Sequence, residues 1–422
     1  MNKKLGAFAL LGASAVVLAG CAGGTGGTPS DAADGGNITV WLVGTDTPDT
    51  AREYLKSTFE SENKGWTLTV EEKTWADTNE TYVAALSSSD SPDVVEVGNT
   101  QALGFIDQGL FADITDMKAD LGGDDLLPGL VDAGTYDGDF YAAPYYAGGR
   151  IVFYTPQIVT DAVPTTLDEY VANGIAMKTD TVSGIYAPGK DWYNALPYVW
   201  AHGGEIAVKD GDTWDAQFSS DDSVAGLSQL QEVYLKATNA PADGDEANPQ
   251  VPFCAGEVGY LSAPGWVKWS ILAPADDAKA PGCPDTYGKD LAAFPLPGLK
   301  AGETAPIFAG GSNIAVAAKS ANPEQAKAAL TILLSEGYQQ LLAEGGLTPG
   351  IISAAEFLPQ DPITQAQATA LANSKFTPMS PNWSEVEKAL LIPDALVKIA
   401  QGGDVKAIAT DLDKQIEAIL NK

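Results

Sequence analysis

Strand-like and helix-like segments alternate between residues 37 and 97 of this chain. Asn37–Gly44 is an apolar run that ends in glycine, Trp66–Trp75 alternates in polarity, and Val94–Val97 is a short apolar run. Helical spacing separates these three strands at 51–60 and again at 81–86. Because a strand, helix, strand order joins parallel neighbours, the pattern predicts an α/β fold with a parallel sheet flanked by helices.

The loops that follow these strands carry polar and aromatic side chains. Asp46 follows the first strand, Trp75 ends the second, and Asn99 and Gln101 follow the third. Ligands of such sheets bind beyond the carboxyl ends of the strands, so we expect these residues to converge on one rim. The alternative is that they are ordinary turn and helix-cap residues.

Two further polar residues follow a glycine pair later in the chain. Ser312 and Asn313 come directly after Gly310-Gly311, and we add them to the candidate binding residues. The same alternative of an ordinary turn applies to them.

Length and charge limit what the chain can do. With 422 residues and 45% hydrophobic residues, it can bury more than one core. The formal net charge is −32, and no cluster of Lys and Arg offers a surface for phosphates, so we expect no nucleic-acid partner. The acidity itself is typical of a solvated surface.

The first 36 residues have the pattern of an export signal and a tether. Lys3 and Lys4 precede an apolar run, and Leu18-Ala19-Gly20-Cys21 resembles the lipobox of bacterial lipoproteins. This resemblance implies that residues 1–20 are removed and that Cys21 carries lipid, with 21–36 as a Gly-rich flexible tether. The alternative is an ordinary signal peptide with an incidental cysteine. The rest of the sequence has no apolar run long enough to span a membrane.

The remaining cysteines predict a disulfide. Cys254 and Cys283 are two cysteines of an exported chain, although two free buried thiols are the alternative. His202 is the single histidine and no close cysteine pair is present, so we expect no metal and no cofactor.

A hinge is predicted in the aromatic stretch Tyr136–Tyr154. Two strand-like runs are separated by a bend, for which Tyr146, Gly148 and Gly149 are the candidate residues. The alternative is a β-hairpin within one domain. Similar breaks occur at 294–298 and 345–350.

Large aromatic residues lie in polar loops of the second half. Trp192 and Tyr193 are flanked by Asp191 and Asn194, which place an acceptor and an amide beside a stacking surface. Trp266 follows a Pro-Gly turn, and Trp383 precedes a predicted helix. A neutral sugar needs flat rings for its C–H faces and planar polar groups for its hydroxyls, so these residues are candidate sugar contacts. Each tryptophan has the alternative of packing in a core.

Three other residues are interpreted differently. Trp41 is in the middle of a predicted strand and Trp200 has helical spacing from Leu196, so we expect both in the core. Arg150, a single cation beside the predicted hinge, could bind a sugar or pair with an acid, and the sequence does not decide between these roles.

Several segments together resemble the bacterial extracellular solute-binding proteins of the carbohydrate-importer type. The resemblance rests on the order and spacing of segments across nearly the whole chain after the signal. These segments are 91–115, 137–154, 164–170, 192–204, 253–266, 308–330 and 381–390.

The resemblance implies a two-lobed, periplasmic-binding-protein-like fold with a three-segment hinge. Each lobe would hold a mainly parallel sheet flanked by helices, with crossings near Ala147, Pro295 and Gly350. Residues 37–147 and 296–350 would form the N-terminal lobe, and 148–295 and 351–422 the C-terminal lobe. Relatives that bind maltodextrins imply sugar contacts at Asp191, Tyr193, Trp266 and Trp383.

The function implied by the resemblance is that of a receptor for an ATP-driven sugar importer. A neutral di- or oligosaccharide would be the ligand, and the transmembrane permease subunits the protein partners, with the receptor acting as a lipid-anchored monomer outside the cell membrane. The Lys-poor, Ala- and Gly-rich composition indicates a Gram-positive bacterium.

Two other ligand classes and one enzyme class remain open. A polyamine would need clustered acids among the aromatics, and a peptide a fixed charge for its terminus. A secreted glycosidase could pair carboxylates such as Asp46 and Asp191. No nucleophile elbow, phosphate loop or dinucleotide motif accompanies them. We therefore expect a binding protein rather than an enzyme.

Overall fold

A computed structural model describes residues 35–44, 46–75, 80–276 and 281–422. The predicted signal peptide 1–20, the predicted lipidation site Cys21 and the tether as far as residue 34 lie outside the described residues. Among the described residues, no helix has the length and apolar character needed to cross a membrane.

The strands of the described residues are mostly short. In chain order they are β1 Gly36–Val43, β2 Trp66–Lys73, β3 Val94–Gly98, β4 Thr135–Tyr136, β5 Asp139–Phe140, β6 Ala142–Gly148, β7 Arg150–Tyr154, β8 Ser183–Tyr186, β9 Ala207–Asp210, β10 Thr213–Ala216, β11 Val258–Pro264, β12 Ala292–Phe294, β13 Ile307–Phe308, β14 Gly310–Val316, β15 Thr348–Pro349 and β16 Ser374–Lys375.

The helices alternate with these strands and then dominate the end of the chain. They are α1 Asp49–Glu62, α2 Glu80–Leu86, α3 Asn99–Asp107, α4 Pro128–Ala133, α5 Leu167–Met177, α6 Trp192–Ala201, α7 Asp221–Lys236, α8 Gln250–Cys254, α9 Val267–Leu272, α10 Pro323–Leu333, α11 Glu336–Glu344, α12 Pro362–Leu371, α13 Trp383–Lys388, α14 Leu391–Ala400 and α15 Val405–Leu420.

Two sheets organise the molecule. The large sheet has the strand order β15-β6-β14-β3-β1-β2, and the small sheet has the order β12-β7-β11-β8. In the large sheet β1 pairs in parallel with both β2 and β3, as the alternating pattern predicted. In the small sheet β11 pairs in parallel with β8.

The prediction that each sheet is mainly parallel is wrong, because both sheets are mixed. β14 is antiparallel to β3 and to β6, and β15 is antiparallel to β6. β7 is likewise antiparallel to both of its neighbours, β11 and β12. These reversed strands lie directly before or after the segments that pass between the sheets, so they enter without the crossover helix that keeps strands parallel.

The Tyr136–Tyr154 stretch passes from one sheet to the other. β6 pairs only within the large sheet and β7 only within the small one, although one residue, Gly149, separates them. The hairpin alternative is therefore wrong, since the two strands are not partners.

Both sheets are covered by helices on their two faces. In β1, Ile38, Val40 and Leu42 pack with α1, α10 and α11, whereas Trp41 and Val43 pack on the opposite face with α2 and α3. This alternation follows from the two-residue period of a strand. The small sheet is covered by α5, α6 and α7 on one face and by α8, α9 and α12 on the other. The predictions that Trp41 and Trp200 are core residues are confirmed, since both are buried.

The predicted disulfide is present between Cys254 and Cys283. It joins the end of α8 to the segment after α9, and so closes a loop that contains β11, Trp266 and α9. The cross-link thus fixes both ends of the segment that carries Trp266.

Removing this disulfide is expected to destabilise the protein. For the double variant Cys254→Ser/Cys283→Ser, we expect the free energy of unfolding to fall by about 3 kcal/mol, because the cross-link restricts the unfolded chain over a sequence separation of 29 residues. Urea unfolding followed by circular dichroism measures the change. Reduction of the unmodified protein should reproduce it, and an unchanged midpoint in both experiments would contradict the prediction.

Candidate functional site

An open groove of about 410 Å³ lies between the large sheet and the small sheet. Its lining combines aromatic rings, carboxyl groups, amides and glycine backbone. From the large-sheet side the lining residues are Asp46, Trp75, Gly98–Gln101, Tyr146, 310–311 and Ser312. The other lining residues are Gly148, Arg150, Tyr193, Glu246, Pro264, Trp266, Phe308 and Glu387. We call this cavity the groove.

The strand ends of the large sheet form one wall. Asp46 follows β1, Trp75 follows β2, and Asn99 and Gln101 begin α3 directly after β3, so the structure brings together the four residues predicted for this rim. The Trp75 ring packs beside Gly98, where a larger side chain would occupy its contact surface. Asn99 Nδ2 donates to the Ala309 carbonyl at 3.0 Å, so this amide also joins the wall to the segment before β14.

Ser312 and Tyr146 form the floor of the groove, where β14 pairs with β6. Gly311 has φ +148°, and a Cβ there would lie 2.6 Å from the Tyr146 carbonyl oxygen, so this close approach of two strands requires glycine. The register then shifts between Ser312 and Asn313. Asn313 points to the other face and donates to the Leu130 and Ala142 carbonyls, at 2.7 and 3.1 Å. Asn313 therefore does not line the groove, because neighbouring strand residues face opposite ways.

Tyr193 and Arg150 are central to the opposite wall. The Tyr193 ring lies 4.8 Å from the Phe308 ring and 4.9 Å from the Arg150 guanidinium. Arg150 donates to both carboxylate oxygens of Glu246, at 2.6 and 2.9 Å, so the ion pair, one of its two possible roles, is present in the structure. This bidentate pair holds the cation against the aromatic ring.

Trp266 is the exposed aromatic residue of the same wall. It is 40% exposed, and the preceding Gly265 donates its N–H to the Gly149 carbonyl at 3.0 Å. A Cβ at Gly265 would lie 2.0 Å from the end of the Gln367 side chain on α12, so a larger residue here would have to displace that side chain. Trp75, on the other wall, is 45% exposed. The groove therefore presents one accessible indole from each wall.

Three predicted site residues lie behind this wall rather than on it. Asp191 is buried and caps α6 by accepting from the Asn194 backbone N–H, while Asn194 Nδ2 donates to Asp191 and to the Ser262 carbonyl. Trp192 is buried against Phe308 and Trp383. The Asp191 carboxylate and the Asn194 amide thus stabilise the start of α6. Of residues 191–194, Tyr193 alone lines the groove.

Trp383 is likewise placed in the interior. Its side chain is 1% exposed within the core that covers the small sheet, and it does not line the groove. Its indole Nε1 donates to Glu387 Oε1 at 3.0 Å, one helical turn later. Glu387 itself lines the groove and accepts from Thr100 Oγ1 at 3.2 Å across it. The carboxylate of Glu387 therefore reaches the groove in place of the indole.

Burial raises the pKa of several carboxyl groups at or behind the groove. It raises the pKa of Glu387 to about 7, against hydrogen bonds from Trp383 and Thr100 that lower it. Burial, together with the nearby charge of Glu246, also raises the pKa of Asp191 to about 7. The pKa of Asp46 is raised by burial, although Tyr146 and Arg52 oppose the shift. These groups are strong hydrogen-bond acceptors when ionised and become donors when protonated.

No metal centre is found in the described residues, because no three His, Cys, Asp or Glu side chains are grouped as metal ligands.

Sequence reasoning missed Glu246, Phe308 and Glu387. Glu387 has a signal in hindsight, since it lies four residues after Trp383 on the same helix face. Glu246 lies in an acidic loop, 243–246, where nothing distinguishes it from its neighbours. Phe308 precedes the predicted Gly310-Gly311 turn and was not singled out among the aromatics.

Comparison with known proteins gives a family and a close fold. A family model described as bacterial extracellular solute-binding protein matches residues 55–372. The chain is 32% identical over 438 residues to the diacetylchitobiose binding protein DasA of Streptomyces coelicolor, covering 100% of this chain and 99% of that protein.

Solved structures with lower identity have the same fold. The GacH receptor of Streptomyces glaucescens, solved unliganded and with acarbose, matches with TM-score 0.79 and 20% identity over 92% of this chain and 99% of that one. The sugar-binding protein MalE of Xanthomonas citri matches with TM-score 0.75 and 19% identity over 91% of this chain and 97% of that one. The fold is therefore the α/β periplasmic-binding-protein fold, here with mixed sheets.

Proposed function

Because the chain belongs to the bacterial extracellular solute-binding protein family, whose members are receptors rather than enzymes, we propose that it captures an oligosaccharide for an ATP-driven importer. The observation that carries this proposal is the pair of accessible indoles, Trp75 and Trp266, on opposite walls of one groove. Flat rings on both sides of a groove suit the apolar C–H faces of sugar rings.

The polar lining supports a neutral ligand rather than an anionic one. Among the described residues that line the groove, Arg150 is the only Lys or Arg, and Glu246 already holds its guanidinium. The remaining polar groups include the carboxyls of Asp46 and Glu387 and the hydroxyl of Ser312. Carboxyl groups accept hydrogen bonds from sugar hydroxyls and from the N–H of an acetamido group. The similarity to a diacetylchitobiose binding protein makes that disaccharide the first ligand to test.

We further propose that the two sheets are the centres of two lobes that close on the ligand. The large sheet would belong to a lobe of residues 37–147 and 296–350, and the small sheet to a lobe of 148–295 and 351–422. Leu296, Ala305 and Phe308 nevertheless pack in the core that covers the small sheet, which favours a second crossing between Phe308 and β14. Tyr146, Gly148 and Gly149 lie where the chain passes between the sheets, which supports the predicted hinge. Only a ligand that contacts both walls can favour the closed state. Trp75 and Trp266 offer such a ligand one contact on each wall.

The anchor and the partners complete the proposal. Lipid on Cys21 would hold the receptor at the outer face of the cell membrane, as a monomer on its tether. The closed lobes would then present their surfaces to the permease subunits of the importer.

Isothermal calorimetry with four solutes tests the proposed ligand class. We expect diacetylchitobiose to bind with a Kd in the micromolar range or tighter, which corresponds to a binding free energy of about −8 kcal/mol or more negative. Maltotetraose, spermidine and a tripeptide serve as the comparison ligands. Binding of spermidine or the tripeptide alone would replace the saccharide proposal, and release of free monosaccharide during the titration would point to an enzyme.

A further inference from the structure

Glu96 is a buried acid beneath the groove that the proposed function leaves without a role. It lies on β3, two residues before Gly98, so its side chain is on the strand face that carries Gly98 at the groove. The residue is 0% exposed. Its Oε2 accepts from the Val43 backbone N–H at 2.8 Å, while its Oε1 has no hydrogen-bond partner.

The unpartnered oxygen lies close to the two residues of the groove floor. Ser312 pairs in register with Gly98 on one side and with Tyr146 on the other, so the floor spans β3, β14 and β6. Ser312 Oγ is also buried without a hydrogen-bond partner. Both Ser312 and the Tyr146 hydroxyl are near enough to lower the pKa of Glu96, although neither makes a hydrogen bond of normal geometry to it. The Tyr146 hydroxyl instead donates to Asp46 Oδ2 at 3.3 Å.

We propose that Glu96 is a positioning residue beneath the floor, which acts on a bound saccharide through the Tyr146 hydroxyl and Asp46, since Ser312 Oγ is itself buried. An ionised Glu96 attracts the Tyr146 hydroxyl hydrogen and draws it away from Asp46. A protonated Glu96 donates from Oε1 to a floor hydroxyl, so Tyr146 keeps its hydrogen bond to Asp46, the carboxyl group that lines the groove. The inference rests on the proposed function, because it concerns the same groove.

The surroundings of Glu96 place its proton exchange near neutral pH. Burial raises the pKa of Glu96 to about 7, and the charge of Asp46 acts in the same direction. The other titratable groups that interact with Glu96 are Tyr145, Tyr146 and Tyr338, and burial raises the pKa of each above its usual range. These phenols stay neutral at neutral pH, so Glu96 is the acid beneath this part of the groove whose charge changes near neutral pH. Glu387, which lines the groove, also has a pKa of about 7.

The sign of the pH dependence follows from desolvation. A saccharide in the groove removes water above the floor, which disfavours the ionised carboxyl and raises the pKa of Glu96 further in the complex. Binding therefore takes up a proton, and affinity is highest below the pKa of the free protein. The affinity falls as pH rises from the pKa of Glu96 in the free protein to its higher pKa in the complex. The total fall is about tenfold for each pKa unit between these two values.

Calorimetry with diacetylchitobiose from about pH 6 to about pH 9 tests this proposal, and buffers of different ionisation enthalpy give the number of protons taken up. We expect the rise in Kd across this range to be about tenfold larger in the unmodified protein than in Glu96→Gln, which keeps any contribution of Glu387. Asp93→Asn is the matched control, since Asp93 is a buried acid just before the same strand that accepts from Thr39 and Ser320 away from the groove. This control should keep the full pH dependence.

The outcomes separate the two levels of the argument. Failure of diacetylchitobiose to bind at any pH would overturn the proposed ligand. Binding with the same pH profile in Glu96→Gln and in the unmodified protein would overturn the role of Glu96 alone. If Glu96→Gln does not fold, the ¹³C chemical shift of the Glu96 carboxyl in the unmodified protein gives its pKa with and without ligand. A pKa that does not rise on binding would then overturn the inference.

Discussion

Replacing both Trp75 and Trp266 by alanine is expected to weaken saccharide binding by about 4 kcal/mol, roughly a thousandfold in Kd. Each indole is an accessible ring on a different wall of the groove, so each should contribute about 2 kcal/mol through stacking and the exclusion of water. Titration calorimetry with diacetylchitobiose gives the dissociation constants of the two single variants and of the double variant.

Trp214→Ala provides the matched control. Trp214 is a partly exposed tryptophan on β10, outside the groove, where it lies near Lys209. Its removal should change Kd by less than about twofold. If one single variant showed the entire loss and the other none, the ligand would be held by one wall, and the proposal that it draws two lobes together would fail.

Trp383→Ala is expected to lower the free energy of unfolding by about 3–5 kcal/mol. The indole lies in the core with Trp192, Val386 and Ile392, beside a cavity of about 160 Å³. Truncation enlarges this cavity by a volume that the surrounding residues can only partly fill. The variant also loses the hydrogen bond to Glu387. Urea unfolding monitored by circular dichroism measures the difference.

Trp269→Ala distinguishes a core effect from a general effect of losing tryptophan. Trp269 is 38% exposed on α9, and its loss should lower the free energy of unfolding by less than about 1 kcal/mol. A small loss of stability in Trp383→Ala, accompanied by a large loss of affinity, would return Trp383 to the ligand-contacting role that the sequence suggested.

The first half of the large sheet was predictable because local pattern and topology agree there. Alternating strand and helix segments place β1, β2 and β3 side by side, and the carboxyl-end rule then brings Asp46, Trp75, Asn99 and Gln101 to one wall. No long-range information is needed for this step. β14, in contrast, comes from a distant part of the chain and inserts between β3 and β6. The sequence of β14 does not indicate which strands it pairs with or in which direction it runs.

The direction in which a side chain points was harder to predict than the location of its segment. Residues 191–194 were expected in a polar loop, whereas the structure makes Asp191 the cap of α6 and Trp192 its first residue. Tyr193 lines the groove and Trp192 packs inward. Successive helical residues differ in direction by about 100°. Which face is buried depends on Phe308 and Trp383, which come from distant segments. For the same reason, the sequence pointed to Trp383 as a groove residue, whereas the structure places Glu387 in the groove and Trp383 in the core.

Buried acids were the feature least visible in the sequence. Asp and Glu are numerous in this chain, and nothing local marks Glu96 or Glu387 as different from solvated ones. Their significance comes from burial, which depends on helices and strands far away in sequence. A site with several raised carboxyl pKa values therefore had to be found in three dimensions.

The structure of the complex with diacetylchitobiose tests the central claim most directly. We expect a crystal structure to show the sugar in the groove, with carbon atoms within about 4.5 Å of both the Trp75 and the Trp266 rings, and with hydroxyl or amide hydrogens donated to Asp46 or Glu387. A saccharide bound elsewhere on the molecule, or in contact with only one of the two indoles, would contradict the account.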